Sequence, residues 1–443
     1  MSVLTMVGTD RSSENAAPVV WGRRIALTIG LLIGLARLCS QGFGAALQLA
    51  PDLRPTYLSA SVWVHGGNPY SASALAARWE AVRGPGDGDL PEDFFREEPS
   101  LYPPPTLVVM APLTLLPWNL VRGLWLAMSM ITTVLAWIAL VRVAGMKLFG
   151  WRAALLGVIW LEVGPLQTLL HLANPTLLTV NLMVFAVYFA TFRMEVIAAV
   201  VLAIAVCLKP QLGGALLVYY ALGRRWRLFG LASGLVALIS CVAVGRLTIE
   251  HSNWLPDLLA NLHMASGNGG LNDPNPINPF HWRLLNLQFP LFAVFSSRTV
   301  VSAAALLITG VLCVLYLICW RRAGGPGAPE PLAVSVPLLL ALLPVYHSYY
   351  DALLLVFPLA WVMASLGTSR TLPALMVLFC TWPFYICAAW AMDNMIHNGS
   401  IPRVVADSTW FNLFVFPCET WMLILLSLVL MACLYHRQEL DRA

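Results

Sequence analysis

The sequence predicts an all-α, polytopic membrane protein, and three observations point to it. Only 11% of its 443 residues are charged, against about 25% in soluble globular chains. Hydrophobic residues make up 59%, too many for a water-facing surface to cover. The apolar runs are also continuous. A membrane β-barrel would alternate apolar and polar residues along each strand, whereas a helix closes its own backbone hydrogen bonds in lipid.

In chain order, residues 1–21 are polar and irregular and predict a disordered tail. Arg23 and Arg24 precede an apolar run from Ile25 to Ala46. That run is long for a signal peptide, and Pro51 follows the one plausible cleavage site. Further spans are predicted at 119–143, 151–170, 175–192, 196–208, 212–222, 228–247, 298–320, 331–345, 352–366, 371–391 and 411–435, about 12 transmembrane helices in all. A crossing takes about 20 apolar residues. Segments 196–208 and 212–222 are short, and Lys209-Pro210 between them suggests a broken pair. LYPPPTLVVMAPLTLLP, residues 101–117, is apolar but short and proline-rich, and predicts a re-entrant or interfacial segment. The chain is expected to form one membrane domain, 22–436, followed by a cytoplasmic tail, 437–443.

Cytoplasmic loops are enriched in Lys and Arg. With the N-terminus inside, the inner segments collect 15 basic and six acidic residues, leaving 11 basic and 16 acidic residues for the outer side and the membrane. This places both termini in the cytoplasm. The loops at about 47–118, 248–297 and 392–410 then face the exterior, and the first two are long enough to carry short interfacial helices. The nine cysteines lie in or beside apolar runs without a CxxC spacing, so they read as packing residues. A net charge of +4, scattered along the chain, gives no footprint for nucleic acid.

Several polar residues interrupt this apolar background. Asp52 follows the first span, and the next residues, Tyr57, Leu58, Val62 and Trp63, suit a helix lying in the membrane interface. A carboxylate there is partly desolvated, which raises its strength as a base; otherwise it is a solvated loop residue. Lys209 lies in an apolar stretch, where a cation either holds an anion such as phosphate or snorkels to the surface. Arg54, Arg283 and Arg403 are further outer cations. His347 and Asp351 are four apart, which places them on one face of a helix. They suit a substrate cleft, a metal pair, a proton relay or a helix cap. Glu162 and Glu419 fall inside predicted spans, where a carboxylate is functional by default or else pairs with an outer-leaflet cation. Asp87-Gly88-Asp89 is a DxD in an acidic Gly/Pro-rich loop. No Walker A, GxGxxG, HExxH or GxSxG motif is present.

Taken together, these motifs resemble the polyprenol-phosphate-sugar-dependent glycosyltransferases of the GT-C fold. The branch they look most like is glycosyltransferase family 87, which includes mycobacterial mannosyltransferases that build phosphatidylinositol mannosides. The resemblance runs from Asp52-Leu53 through Tyr57 to Tyr70, which closes GGNPY. It continues with Leu101-Tyr102-Pro103-Pro104, Pro112, Leu116-Pro117 and Trp125. HLANPTLLTVNLMVF, residues 171–185, is similar to the family's Gly-Gln-x-Asn helix, with Ala173-Asn174 where Gly-Gln is usual. Lys209-Pro210, Asn275 to Arg283 and Tyr346 to Pro358 follow in family order.

The resemblance implies a donor sugar, most readily mannose, on a polyprenyl monophosphate at the extracytoplasmic face. The acceptor would be a hydroxyl of a lipid-linked or cell-envelope glycan. Asp52 would be the catalytic base. Lys209, Arg54 and Arg283 would meet the donor phosphate. Tyr57, Tyr70, Tyr102, Asn174, His347 and Asp351 would line the substrate cleft. One base suffices for an inverting displacement. A monophosphate offers no diphosphate to chelate, so neither a metal nor a cofactor is expected. A secondary transporter should show an internal repeat, and none is visible. A membrane polysaccharide polymerase or ligase would use a lipid diphosphate and lean on outer Arg and His residues rather than an early Asp.

Overall fold

The structure is a computed structural model and describes residues 16–250, 253–327 and 330–437. Of the expected N-terminal tail, residues 1–15 lie outside the described residues, as do 438–443 of the C-terminal tail. The remainder of the N-terminal tail is helical instead, because the first helix runs from Ala16 to Arg37. Pro18 falls in its first turn, where a missing N–H costs nothing. A π-helical stretch, Leu38–Phe43, and a short helix, Gly44–Gln48, carry this rod to the Asp52 turn.

Among the described residues there is no β-strand, only an isolated bridge between Leu284 and Ser348. Among the described residues, four helices are long and apolar enough to cross a membrane: Trp118–Val143, Trp226–Ile249, Arg298–Arg322 and Cys418–Tyr435. Two bent pairs raise the number to six if each is one crossing. Trp151–Glu162 and Gly164–Leu172 meet at 55°, and Thr371–Ile386 and Ala388–His397 at 43°. By length and composition, four to six of the about twelve expected crossings are supported among the described residues. Thr176–Thr191, Glu195–Leu208, Glu330–Leu340 and Tyr349–Ser365 are apolar but only 10–17 residues long. At 1.5 Å per residue such helices span at most about 26 Å, short of the roughly 30 Å hydrocarbon layer.

The breaks have local causes. Pro165 follows Gly164 directly after the first bend, and Cys387 adopts a left-handed φ of 49° at the second. Pro210 bars Lys209 from helical geometry, and Lys209 sits at φ −145°, ψ 87° between Glu195–Leu208 and Pro210–Leu222. Close approach at that step needs Gly213, because a Cβ there would come within 2.7 Å of the Val206 amide nitrogen.

The main core is built from Leu, Val and Ala of the apolar helices. A second cluster contains Leu53, Tyr57, Leu58, Trp79, Phe95, Trp118 and Trp125. It fixes the helices Leu53–Val64, Ala72–Val82 and Glu92–Glu97 against the start of Trp118–Val143. Segment 101–117 folds as a helix, Pro104–Met110, and a 3-10 turn, Ala111–Leu115, too short to cross. Large apolar side chains such as Ile131, Leu238 and Leu307 stand exposed along the long helices. That surface suits lipid.

Candidate functional site

The site forms where three chain breaks meet. The first is the end of Gly164–Leu172. Ala173 adopts φ 53°, ψ 39°, and the Asn174 amide donates to the Leu169 carbonyl at 3.0 Å. The left-handed conformation suits glycine and burdens a residue with a Cβ.

Asn174 then does two things. Its Oδ1 accepts from the Thr176 amide at 2.8 Å, capping the helix Thr176–Thr191. Its Nδ2 donates to Asp52 Oδ2 at 2.6 Å. Because one end of the amide is fixed by a backbone N–H, the other must present hydrogens to the carboxylate. The Asp52 amide also donates to the Leu172 carbonyl at 3.1 Å, so both loops are locked together.

Asp52 precedes Leu53–Val64 but caps no amide with its side chain. It is partly open to solvent, yet protein surrounds it densely. Burial raises its carboxyl from 3.8 to about 6, against the Asn174 hydrogen bond and the charge of Lys209. Glu98 adds to the rise, and Arg283 opposes it.

The second break brings in Lys209, only 8% exposed. Its Nζ donates to Asp351 Oδ1 at 2.6 Å and lies 5.0 Å from the centre of the Tyr350 ring. Asp351 Oδ1 also accepts from Thr176 Oγ1 at 3.2 Å, and Oδ2 lies 3.0 Å from His347 Nδ1. A buried cation and anion are tolerated only with such partners. His347 is fully buried, and its Nε2 has no hydrogen-bond partner among the described residues.

The third break is the loop before Asp351. The expected helical face for His347 and Asp351 is not there. Ser348 is extended, and a 3-10 helix begins at Tyr349. The two side chains meet across that turn. The Leu285 amide donates to the His347 carbonyl and the Leu287 amide to the Leu343 carbonyl, both at 2.8 Å. Just before this short ladder, the Arg283 guanidinium is stacked 4.3 Å from the Phe280 ring centre. Arg283 is close enough to feel the charges of both Asp52 and Glu98.

The other expected residues divide between the cleft and its supports. The Tyr102 hydroxyl bonds Thr56 and faces Asp52, which with burial keeps the phenol protonated. Tyr70 donates to the Tyr102 carbonyl at 2.9 Å and so fixes the Tyr-Pro-Pro segment. Tyr57 donates to the Leu116 carbonyl at 3.1 Å and packs on Trp118, well inside the second cluster. Arg54 turns to the Leu49 carbonyl at 2.7 Å and lies over the Trp79 ring rather than beside Lys209. Arg403 is exposed on a short helix, Arg403–Ala406.

The remaining charged motifs are spoken for elsewhere. Asp87 pairs with Arg122 at 2.9 Å, and Asp89 pairs with Arg83. Glu162 pairs with Arg37 at 2.8 Å. Glu419 finds no cation among the described residues; its Oε1 accepts from the Ala389 amide at 3.3 Å, at the start of Ala388–His397.

The sequence reading did not single out Thr176, Tyr346, Tyr350 or Glu98. Thr176 was hidden as an ordinary helix residue two places after Asn174. Tyr346 and Tyr350 both feel the charges of Asp52 and Asp351, and their spacing around His347 was the available signal. Glu98 ends an acidic run four residues before Tyr102, with nothing in the run to set it apart.

Comparison with known proteins bears on this arrangement. The sequence profile of Glycosyltransferase family 87 matches residues 101–358, more than half of the chain. This protein belongs to glycosyltransferase family 87. No curated protein and no solved structure matches the chain. The family 87 match opens on Leu101-Tyr102-Pro103-Pro104 and closes at Pro358. It takes in Asn174, Lys209, Arg283, His347 and Asp351, but not Asp52, Arg54, Tyr57 or Tyr70. The place of Asp52 in a family 87 site therefore rests on its contact with Asn174, inside the matched region.

Proposed function

We propose that this glycosyltransferase moves a hexose, mannose in the first instance, from a polyprenyl monophosphate to a glycan hydroxyl. The reaction takes place at the extracytoplasmic face of a cell membrane, with both termini in the cytoplasm. The observation that carries the reading is Asp52: a carboxylate raised to about 6, fixed by Asn174, and close enough to Lys209 to feel its charge. A base of that strength is largely ionised at neutral pH and still accepts a proton readily.

The acceptor oxygen attacks the anomeric carbon as Asp52 takes its proton. The bond between that carbon and the phosphate oxygen breaks, and the electron pair leaves on the phosphate. Lys209 meets the developing negative charge, with Arg283 as the second cation at the mouth. Asp351, His347 and Thr176 hold the lysine in place. Arg54 would have to leave Trp79 to join them, so the proposal assigns it to the scaffold. The polyprenyl tail lies along the exposed apolar helices.

A single displacement inverts the sugar. With β-linked farnesyl-phosphate-mannose and octyl α-mannoside, the product should carry a new α-mannosidic bond in its NMR spectrum. A β-linked product overturns the one-base mechanism. Sugar uptake into vesicles without any glycoside overturns the transferase reading.

A further inference from the structure

We infer that the helix Trp254–Ser266 rests on the membrane surface, with Leu255, Leu259 and Leu262 set among its lipids, and that it braces the Tyr-Pro-Pro segment from there. This holds whatever sugar or acceptor the enzyme uses.

The crossing before it fixes the level of this helix. Trp226–Ile249 is long and apolar enough to span, and exposed apolar side chains continue along it through Leu238 and Val242 to its last residue, Ile249. Trp254 opens the next helix and packs on the cluster of Trp63, Leu107 and Leu247. Leu247 belongs to the last turn of the crossing, and Arg246 beside it donates to the Trp63 carbonyl at 3.0 Å. Trp254–Ser266 therefore starts where the crossing leaves the hydrocarbon layer, a boundary that suits a tryptophan.

The helix has unlike sides, because residues three and four apart share one. Asp257 and Asn261 form a polar edge turned to the protein. Asn68 donates to Asp257 Oδ2 at 2.6 Å, and Asn261 Nδ2 donates to the Tyr70 carbonyl at 3.0 Å and the Ser100 carbonyl at 3.2 Å. Leu258 and Ala265 are buried. Leu255, Leu259 and Leu262 form a separate stripe, exposed by 46%, 57% and 42%. Three leucines offer far less area than the roughly 800 Å² per partner of a stable protein contact. A lipid surface has no such threshold, and a helix with an apolar stripe beside a polar edge lies in the headgroup region.

The polar edge links that seat to the site. Asn261 holds the chain at Tyr70 and at Ser100, and the Tyr70 hydroxyl donates to the Tyr102 carbonyl at 2.9 Å. The turn carrying Tyr70 and the segment carrying Tyr102 are thus fastened to one membrane-seated helix.

The test uses the full chain in vesicles of phosphatidylethanolamine and phosphatidylglycerol. The photocrosslinker benzoylphenylalanine replaces Leu255, Leu259, Leu262 or, as a control, Ala260, which is exposed on the far side of the helix. After illumination, intact mass should show about tenfold more phospholipid adduct at each leucine position than at Ala260. In the triple variant Leu255→Gln, Leu259→Gln, Leu262→Gln, the amides of residues 68–75 should exchange hydrogen about tenfold faster than in wild type, while those of Trp226–Ile249 stay protected. Crosslinks to a second chain in place of lipid, or equal lipid adducts at Ala260, overturn the inference. Unchanged exchange at residues 68–75 in the folded variant overturns it too. Neither readout needs transfer, so a failure of the transfer reaction leaves the membrane seat standing.

Discussion

The Asn174–Asp52 hydrogen bond sets the pH at which the proposed base becomes competent, and Asn174→Ala tests it. The bond is 2.6 Å long and runs from an amide whose other end is fixed by the Thr176 N–H. Burial lifts the carboxyl, and this donor is the largest force holding it down to about 6. A hydrogen bond to a charged group contributes about 1.5–3 kcal/mol, equal to about one to two pKa units. Water reaches the partly exposed Asp52 and replaces part of it, leaving a rise of about one unit. The acid limb of kcat/KM should then move from near pH 6 to near pH 7. At pH 6.5 the ionised fraction would fall from about three quarters to about one quarter, a threefold loss of rate that vanishes above about pH 8.5. The assay is transfer from farnesyl-phosphate-mannose between pH 5 and 9. An acid limb that stays put, or moves down, would refute the reasoning.

Other outcomes follow from the same geometry. Asp52→Asn should stabilise the protein at neutral pH. The folded carboxyl titrates near 6 and the unfolded one near 3.8, so wild type loses stability as pH rises between them. The gain should be absent at pH 3.5 and reach about 1–2 kcal/mol above pH 7, after allowing for partial exposure; a gain at low pH alone would contradict it. Lys209→Met and Asp351→Asn should each destabilise by about 3–5 kcal/mol, because each strands a buried partner, and the double variant should cost less than their sum. Thermal unfolding of all three checks this, and strict additivity would refute it. Ala173→Gly should raise stability by about 1 kcal/mol by relieving a left-handed backbone, read as a higher Tm; an unchanged or lower Tm would contradict it.

Much of the site was legible because its residues break an apolar pattern. Asp52, Lys209 and the Tyr-Pro-Pro segment stand out against uncharged surroundings, and Lys209-Pro210 marked the helix break directly. The contact between Asp52 and Asn174 spans 122 positions and left no local trace; only the family-like motif placed Asn174 in the cleft. The His347–Asp351 spacing led to the right contact through the wrong element, since a 3-10 turn also brings such residues together. Arg54 shows the opposite failure. It sits two residues from Asp52, yet the helix directs its side chain toward Trp79. Hydropathy reports burial and lipid contact alike, so the apolar runs marked the helices without separating long crossings from short core helices. Helices such as Thr176–Thr191 are apolar through packing in the core rather than through length.

The most direct test of the central claim is turnover by Asp52→Asn beside wild type, both reconstituted in lipid with polyprenyl-phosphate-mannose and octyl α-mannoside. Asn fills the same space and keeps a partner for Asn174, but it cannot accept the proton. The account predicts a folded protein that binds donor and transfers about 10²–10⁴ times more slowly. Wild-type turnover by the folded variant would contradict it.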